Sequence, residues 1–129
     1  MERADSELIE AAREILRKRA EPAIHFIGAA LRTRSGQVYC GVNLGTIVGR
    51  ASVCAEAIAL GMAAAAGDTD VDCVVAVNEA GGVVSPCGIC REMLSDYAPD
   101  ARVIVPAEPA PRVVPLAELL PNKFVRLRR

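Results

Sequence analysis

The chain has 129 residues, enough to bury a real hydrophobic core, and residues 1–129 read as one domain. Fifteen basic and sixteen acidic side chains leave a formal charge of -1, and aromatics make up only 3%. The chain therefore lacks both the positive field that grips a phosphate backbone and the rings on which bases stack, which excludes nucleic acid as the expected partner. The longest nearly apolar stretch, residues 57–66, is half of the roughly 20 residues a membrane-spanning helix needs, and the charged amino terminus lacks the apolar core of a signal peptide. A cytoplasmic protein with no membrane partner is the expectation.

In chain order, Leu8, Ile9, Ala12, Ile15 and Leu16 recur at helical spacing. Glu7 near the start and Arg17, Lys18 and Arg19 at the end suit the helix dipole, and Pro22 closes this amphipathic helix. Residues 24–31 and 37–42 read as an antiparallel hairpin around a turn at Arg34, Ser35 and Gly36. Residues 43–53 have two glycines and no periodicity, so a loop is expected. It leads into an alanine-rich helix over 54–66, ended by Gly67. That helix is apolar nearly all the way round, which predicts burial on most sides, under the sheet or against another subunit.

Residues 71–77 form a strongly β-branched strand, and the Gly81-Gly82 turn and the short Val83-Val84 run follow it. A helix is expected over 88–97 and a strand over 102–105. Strand, helix and strand in that order indicate a parallel crossover, so the sheet is mixed and lies between helices. The proline-rich segment AEPAPRVVP reads as an extended surface connection to a short helix at 116–120. The closing arginines Arg126, Arg128 and Arg129 read as a solvated end.

Without a secretory signal, the five cysteines are thiols or metal ligands rather than a disulfide framework. Cys54-Ala55-Glu56 and Pro86-Cys87-Gly88-Ile89-Cys90 place three thiols and a carboxylate at the starts of two predicted helices. Unpaired N–H groups at a helix start favour thiolate over thiol and so prepare these sulfurs as ligands. Three protein ligands with an open fourth position define a catalytic zinc site. Glu56 points to a different side of its helix from Cys54, so it sits as a neighbour of the open position and suits proton transfer. The competing reading is a closed structural zinc knot, for which His25, Cys40 or Cys73 would supply the fourth ligand.

This C-A-E followed by P-C-x-x-C is the known signature of zinc deaminases, including its three-cysteine form. At these residues the chain resembles the cytidine deaminase family, and the likeness covers nearly its whole length. GAA at 28–30, GVN at 41–43, CAE, SPCGICRE at 85–92 and ELLP at 118–121 occur in family order. Within that family it resembles most the blasticidin-S deaminase branch, through a CAE without a following Arg, the Leu60-Gly61 pair and the run from Ala63 to Gly67. The resemblance implies a three-layer α/β/α fold with a five-stranded mixed sheet, a zinc cofactor, and a homotetramer whose sites are completed by neighbouring subunits. It implies hydrolytic deamination, with Glu56 carrying protons from the attacking water to the ring nitrogen and the departing ammonia.

For the substrate, the resemblance assigns Asn43 to a sugar hydroxyl and Phe124 to closing a subunit's site, with Ala55 beside them between ligand and acid. The family's ring-stacking Phe falls on His25, next to Phe26. Gly45 stands where the family carries a ribose-binding Glu, and Ala57 where it carries an Arg that hydrogen-bonds the ligand sulfurs, which leaves Arg91 as the expected donor. Arg126 stands where the blasticidin-S branch has a second C-terminal ring. Two enzyme readings follow, a cytidine-like or modified nucleoside and an antibiotic nucleoside such as blasticidin S. A zinc-stabilised binding module is the reading from a different class.

Overall fold

A computed structural model describes residues 1–127; Arg128 and Arg129, part of the expected solvated end, lie outside the described residues. The helices are α1 (Arg3–Arg19), α2 (Ala55–Ala65) and α3 (Gly88–Tyr97). The strands are β1 (Gly28–Thr33), β2 (Val38–Val42), β3 (Val71–Val77), β4 (Val83–Val84), β5 (Arg102–Val105) and β6 (Arg112–Pro115). Short 3-10 turns cover Gly49–Ala51 and Leu116–Leu119.

The strands form one mixed sheet in the order β2-β1-β3-β5-β6, with β4 also paired to β3. Among the described residues only β3 and β5 run parallel, as the crossover through α3 requires. Along β3, Cys73, Val75 and Val77 join a core with Leu8, Ile9, Ala12 and Leu16 of α1, whereas Val74 and Ala76 join a second core with α2 and α3. The period of two thus gives each face of the sheet its own helical layer. The three-layer α/β/α expectation holds.

The sheet has six strands rather than five. Residues 112–115, expected as surface connection, form β6, which pairs Val103 with Val114 and Ile104 with Val113. Proline is tolerated here because β6 is the edge strand, where Pro115 ends the ladder without leaving a central partner unpaired. The first strand also begins later than residue 24. Glu21 and His25 exchange both backbone hydrogen bonds, at 2.9 Å each, around Ala23 in the left-handed region at φ 67°. That turn consumes residues 21–25, and β1 continues to Thr33 instead.

The α2 helix is buried along one face, through Ala55, Glu56, Ala59, Leu60 and Ala63, while Met62 is 56% exposed. Burial on most sides, as expected from its composition, does not hold within one chain. Its seat on the sheet depends on Gly41, where a Cβ would meet Ala59 N at 2.7 Å. This close approach brings the start of α2 over the end of β2.

At the end of the sheet where β3 and β5 begin lies an ionic network that sequence patterning did not indicate. Arg32 reaches Asp5 at 2.8 Å and Asp72 at 2.9 Å, and Arg102 reaches the same two carboxylates at 3.2 and 3.3 Å. Asp5 is 1% exposed, tying α1 to three strands through paired charge. Burial alone would raise the Asp5 and Asp72 carboxyls, but the hydrogen bonds and charges of the two arginines outweigh it and lower both.

Candidate active site

Cys54 and Cys87 each occupy the residue immediately before a helix, in extended backbone conformation, and Cys90 lies in the first turn of α3. Two features aim these helix starts at one point. Leu44 and Val53 exchange backbone hydrogen bonds of 2.8 and 3.0 Å, closing the 45–52 loop and delivering Cys54 beside Asn43. On the other side β4 pairs with Ala76 and Val77, the finishing end of β3, and so delivers Ser85, Pro86 and Cys87 to the same edge.

The Cys54 and Cys87 sulfurs are 3.3 Å apart, and all three sulfurs lie within 4.8 Å of one another. A tetrahedral zinc with Zn–S bonds near 2.3 Å needs sulfurs about 3.8 Å apart, so the trio fits the ion in spacing and in chemistry. Burial, with the neighbouring Cys87 and Glu56, pushes the Cys54 thiol up to about 11, and burial with the charges of Glu56, Cys54 and Cys87 pushes Cys90 well above its ordinary value. For Cys87 burial also raises the value, but the Cys90 backbone N–H, the Cys54 and Cys90 side chains and the Ile89 N–H outweigh it and lower the thiol. Such a set of mutually repelling acids is stabilised by a cation at its centre.

Among the described residues no fourth His, Cys, Asp or Glu joins the trio. Cys73 is fully buried on the α1 side of β3, Cys40 packs partly buried against the same core with its sulfur 4.0 Å from the Ala11 carbonyl, and His25 is committed elsewhere. The closed zinc knot therefore has no fourth ligand among them.

A cavity of about 240 Å³ opens beside Cys54 and Cys87. Phe26, Ile27, Ala55 and Val84 supply apolar walls; Asn43 and Glu56 supply polar groups. Glu56 is 5% exposed, and burial raises its carboxyl above the ordinary value against the opposing pull of its own backbone N–H and the Cys90 thiol. A larger cleft of about 490 Å³ lies between α1 and the 78–82 turn; it carries Arg13, Arg17 and Glu79 but none of the clustered sulfurs.

Asn43 is 6% exposed and organises the cavity wall. Its Oδ1 accepts from Phe26 N at 2.7 Å and Ile27 N at 2.9 Å, and its backbone carbonyl accepts from His25 Nδ1 at 2.8 Å. Three of the residues expected at the substrate, Phe26, Asn43 and Ala55, line the cavity together with the expected proton carrier Glu56, and His25 is joined to it through Asn43. Phe124 is 79% exposed and is not among the cavity-lining residues. Arg91, expected at the sulfurs, donates instead to the carbonyls of Pro86 at 2.9 Å and Leu119 at 3.0 Å, so it touches the centre only through the backbone next to Cys87. Sequence reasoning missed Ile27, Ser52, Val53, Val84 and Ser85 as lining residues. Val84, a single residue from SPC, was accessible through that motif, whereas Ser52 arrives only through the Leu44 and Val53 pairing.

A layered α/β/α fold, with three sulfurs gathered from two helix starts and a buried glutamate in the adjoining cavity, defines the class of zinc-dependent hydrolytic deaminases. Comparison narrows the class. The chain belongs to the family described as the cytidine and deoxycytidylate deaminase zinc-binding region, whose model matches residues 2–106. It is 41% identical over 130 residues to a blasticidin-S deaminase of Bacillus cereus, covering 95% of this chain and 93% of the relative. It is 35% identical over 125 residues to a cytidine deaminase of Shewanella woodyi, covering 93% of this chain and 40% of that longer relative. The crystal structure of a cytidine deaminase from Burkholderia pseudomallei superposes with a TM-score of 0.80 at 32% identity, covering 96% of this chain and all of that one. The protein is thus a zinc-dependent nucleoside deaminase, with Cys54, Cys87 and Cys90 forming a cluster that could hold the metal.

Proposed function

We propose that the protein removes the exocyclic amine of a cytidine-like aminopyrimidine nucleoside or a modified analogue, with Glu56 as the proton carrier. The observation that carries this reading is the position of Glu56. It is a buried carboxyl in the first turn after Cys54, lining the same cavity as Asn43 and two of the sulfurs. Zinc, when bound by Cys54, Cys87 and Cys90, makes a water easier to deprotonate near neutral pH. Glu56 accepts a proton as water adds to the amino-bearing ring carbon and gives it to the ring nitrogen; it then takes the remaining proton from the added hydroxyl and delivers it to the amine, which departs as ammonia as the C–N bond breaks. The product carries a carbonyl where the substrate carried the amine. Apolar walls from Phe26, Ile27 and Val84 hold the base flat and exclude bulk water. The Asn43 amide nitrogen faces the rest of the nucleoside as a donor, because its oxygen is already taken.

A second reading, an antibiotic nucleoside of the blasticidin-S type as substrate, is supported by the 41% identity to the Bacillus cereus relative across nearly both chains. We also propose a homotetramer acting in the cytoplasm, with Phe124 reaching a neighbouring subunit's site. Support for assembly comes from the apolar side chains left outside, among them Met62, Ile89, Tyr97 and Phe124. Support for a reducing compartment comes from five cysteines with no disulfide between them. Arg91 holds the loop bearing Cys87 through Pro86 in this reading.

Zinc-loaded protein incubated with cytidine, deoxycytidine and blasticidin S, with ammonia as the readout, tests the proposal. Release from the cytidines supports the main reading, and release from blasticidin S alone supports the second. A folded, zinc-loaded protein that releases ammonia from none of them contradicts both.

A further inference from the structure

The cavity is uneven in its hydrogen-bonding groups. Near the sulfurs stands Glu56, the one carboxylate that lines it among the described residues. Towards Asn43 no second carboxylate lines it among the described residues. The Asn43 oxygen is spent on Phe26 and Ile27, and the Ser52 hydroxyl is engaged by Thr46 through its backbone N–H at 3.2 Å and its hydroxyl at 3.0 Å. Nor can residue 45 supply one. A Cβ there would stand 2.4 Å from the Ala23 carbonyl oxygen and 3.1 Å from the Ile24 Cα, so the 21–25 turn fills the space a side chain would need.

That same turn holds His25 rigidly. Glu21 and His25 pair through their backbones, Gly45 N donates to the Ile24 carbonyl at 2.8 Å, and the His25 ring is anchored on the Asn43 carbonyl. A carbonyl oxygen only accepts, so Nδ1 carries the hydrogen; in the neutral ring Nε2 is then an acceptor. Among the described residues Nε2 has no hydrogen-bond partner, and the ring is only half-buried. A preorganised acceptor of this kind loses little freedom when a ligand donor meets it.

We infer that the 21–25 turn is the specificity element of the pocket and that His25 Nε2 accepts a hydrogen bond from a donor on the sugar portion of the substrate, a hydroxyl or an amino group. This rests on the nucleoside-deaminase reading of the cavity, in which the reacting base lies at the sulfurs and the sugar lies towards Asn43. The turn does two things at once. Its backbone excludes a side chain at position 45, and its last residue supplies the acceptor that position 45 cannot.

The test reads binding, so that it does not depend on turnover. In zinc-loaded Glu56→Gln protein, affinities are measured by calorimetry for cytidine, the two monodeoxycytidines lacking one or the other ribose hydroxyl, and a cytidine carrying an amino group in place of a sugar hydroxyl. His25→Asn is then added, because its amide can keep the anchor on the Asn43 carbonyl while removing the Nε2 acceptor. His25→Gln is the second variant, since its longer amide can reach the Nε2 position.

Loss of the recognised hydroxyl is expected to weaken binding roughly tenfold with His25 present and less than about twofold in His25→Asn, with His25→Gln restoring part of the difference. A stronger response to the amino-sugar analogue than to cytidine would identify the donor as an amine; the reverse would identify a hydroxyl. The inference is overturned if the penalty for a missing hydroxyl survives in both His25 variants, if His25→Asn weakens every ligand equally, or if no nucleoside binds. Hydroxyl-dependent binding without ammonia release by the wild type would instead break the catalytic proposal and leave this inference standing.

Discussion

Where β3 and β5 begin, Asp5 and Asp72 meet Arg32 and Arg102; where β3 finishes, Cys54, Cys87, Cys90 and Glu56 meet one another. Both clusters gather residues far apart in the chain, yet their chemistry is opposite. At the first, carboxylates and guanidiniums cancel each other and their hydrogen bonds stay within the protein. At the second, every group is an acid, and ionising one makes it harder to ionise the next. The difference teaches which end is finished by folding and which requires a ligand. Self-satisfied charge at one end serves stability, while like-charged donors at the other call for a cation and leave a carboxyl beside an open cavity.

The comparison breaks most visibly at Cys90. Cys90→Ala removes a buried sulfur from the trio, and we expect zinc content to fall and ammonia release to disappear. Elemental analysis and the ammonia assay check this together. Chelation of wild-type zinc should lower the thermal midpoint, because a ligand bound only by the folded state stabilises it.

At the opposite end, Asp5→Asn should cost about 3 kcal/mol of folding free energy, because a carboxylate 1% exposed is lost and Arg32 and Arg102 are left to share Asp72. Denaturant unfolding measures that loss. Zinc content should be unchanged, since the two ends share no side chain. A variant that also lost its metal would show that the ends are coupled.

The pH dependence sharpens the same point. Both carboxyls of the network are lowered below the ordinary value of 3.8. Their stabilisation is therefore complete above that value and is lost as the pH falls through their depressed folded values. Unfolding free energies measured from pH 7 down to about pH 3 should drop most steeply at the acid end. The drop should be shallower in Asp5→Asn at matched zinc content.

A smaller effect belongs to Asp68, whose Oδ2 accepts from Thr33, Ser35 and Tyr39 at 2.8, 2.8 and 3.0 Å and so joins the hairpin turn to the end of α2. Asp68→Asn should lower the thermal midpoint by less than Asp5→Asn and leave zinc and activity intact.

What could be read from the chain before its structure was local in origin. Cys54, Glu56, Cys87 and Cys90 stand at two helix starts, and their spacing carries the site without knowledge of the sheet. The core strand β3 and helix α3 were equally legible, because β-branching and helical periodicity are properties of contiguous residues. What was not legible depends on distant partners. β6 exists because β5 offers an edge, although it follows a proline-rich segment and ends on Pro115. The 21–25 turn is fixed partly by Gly45 and Asn43, some twenty residues later. Arg91 finds the Leu119 carbonyl rather than a sulfur because the turn after β6 packs against α3, a contact no motif announces. The ionic network joins residues up to 97 positions apart, and nothing in their immediate neighbours marks them as partners.

The account centres on Glu56 acting beside a metal that it does not hold. Ammonia release by wild type and Glu56→Gln, compared at equal zinc content on whichever nucleoside the wild type deaminates best, tests this most directly. A fall in kcat of about 10²–10⁴-fold with zinc retained is the predicted result. Activity that persists within a few-fold in the zinc-loaded variant would contradict it.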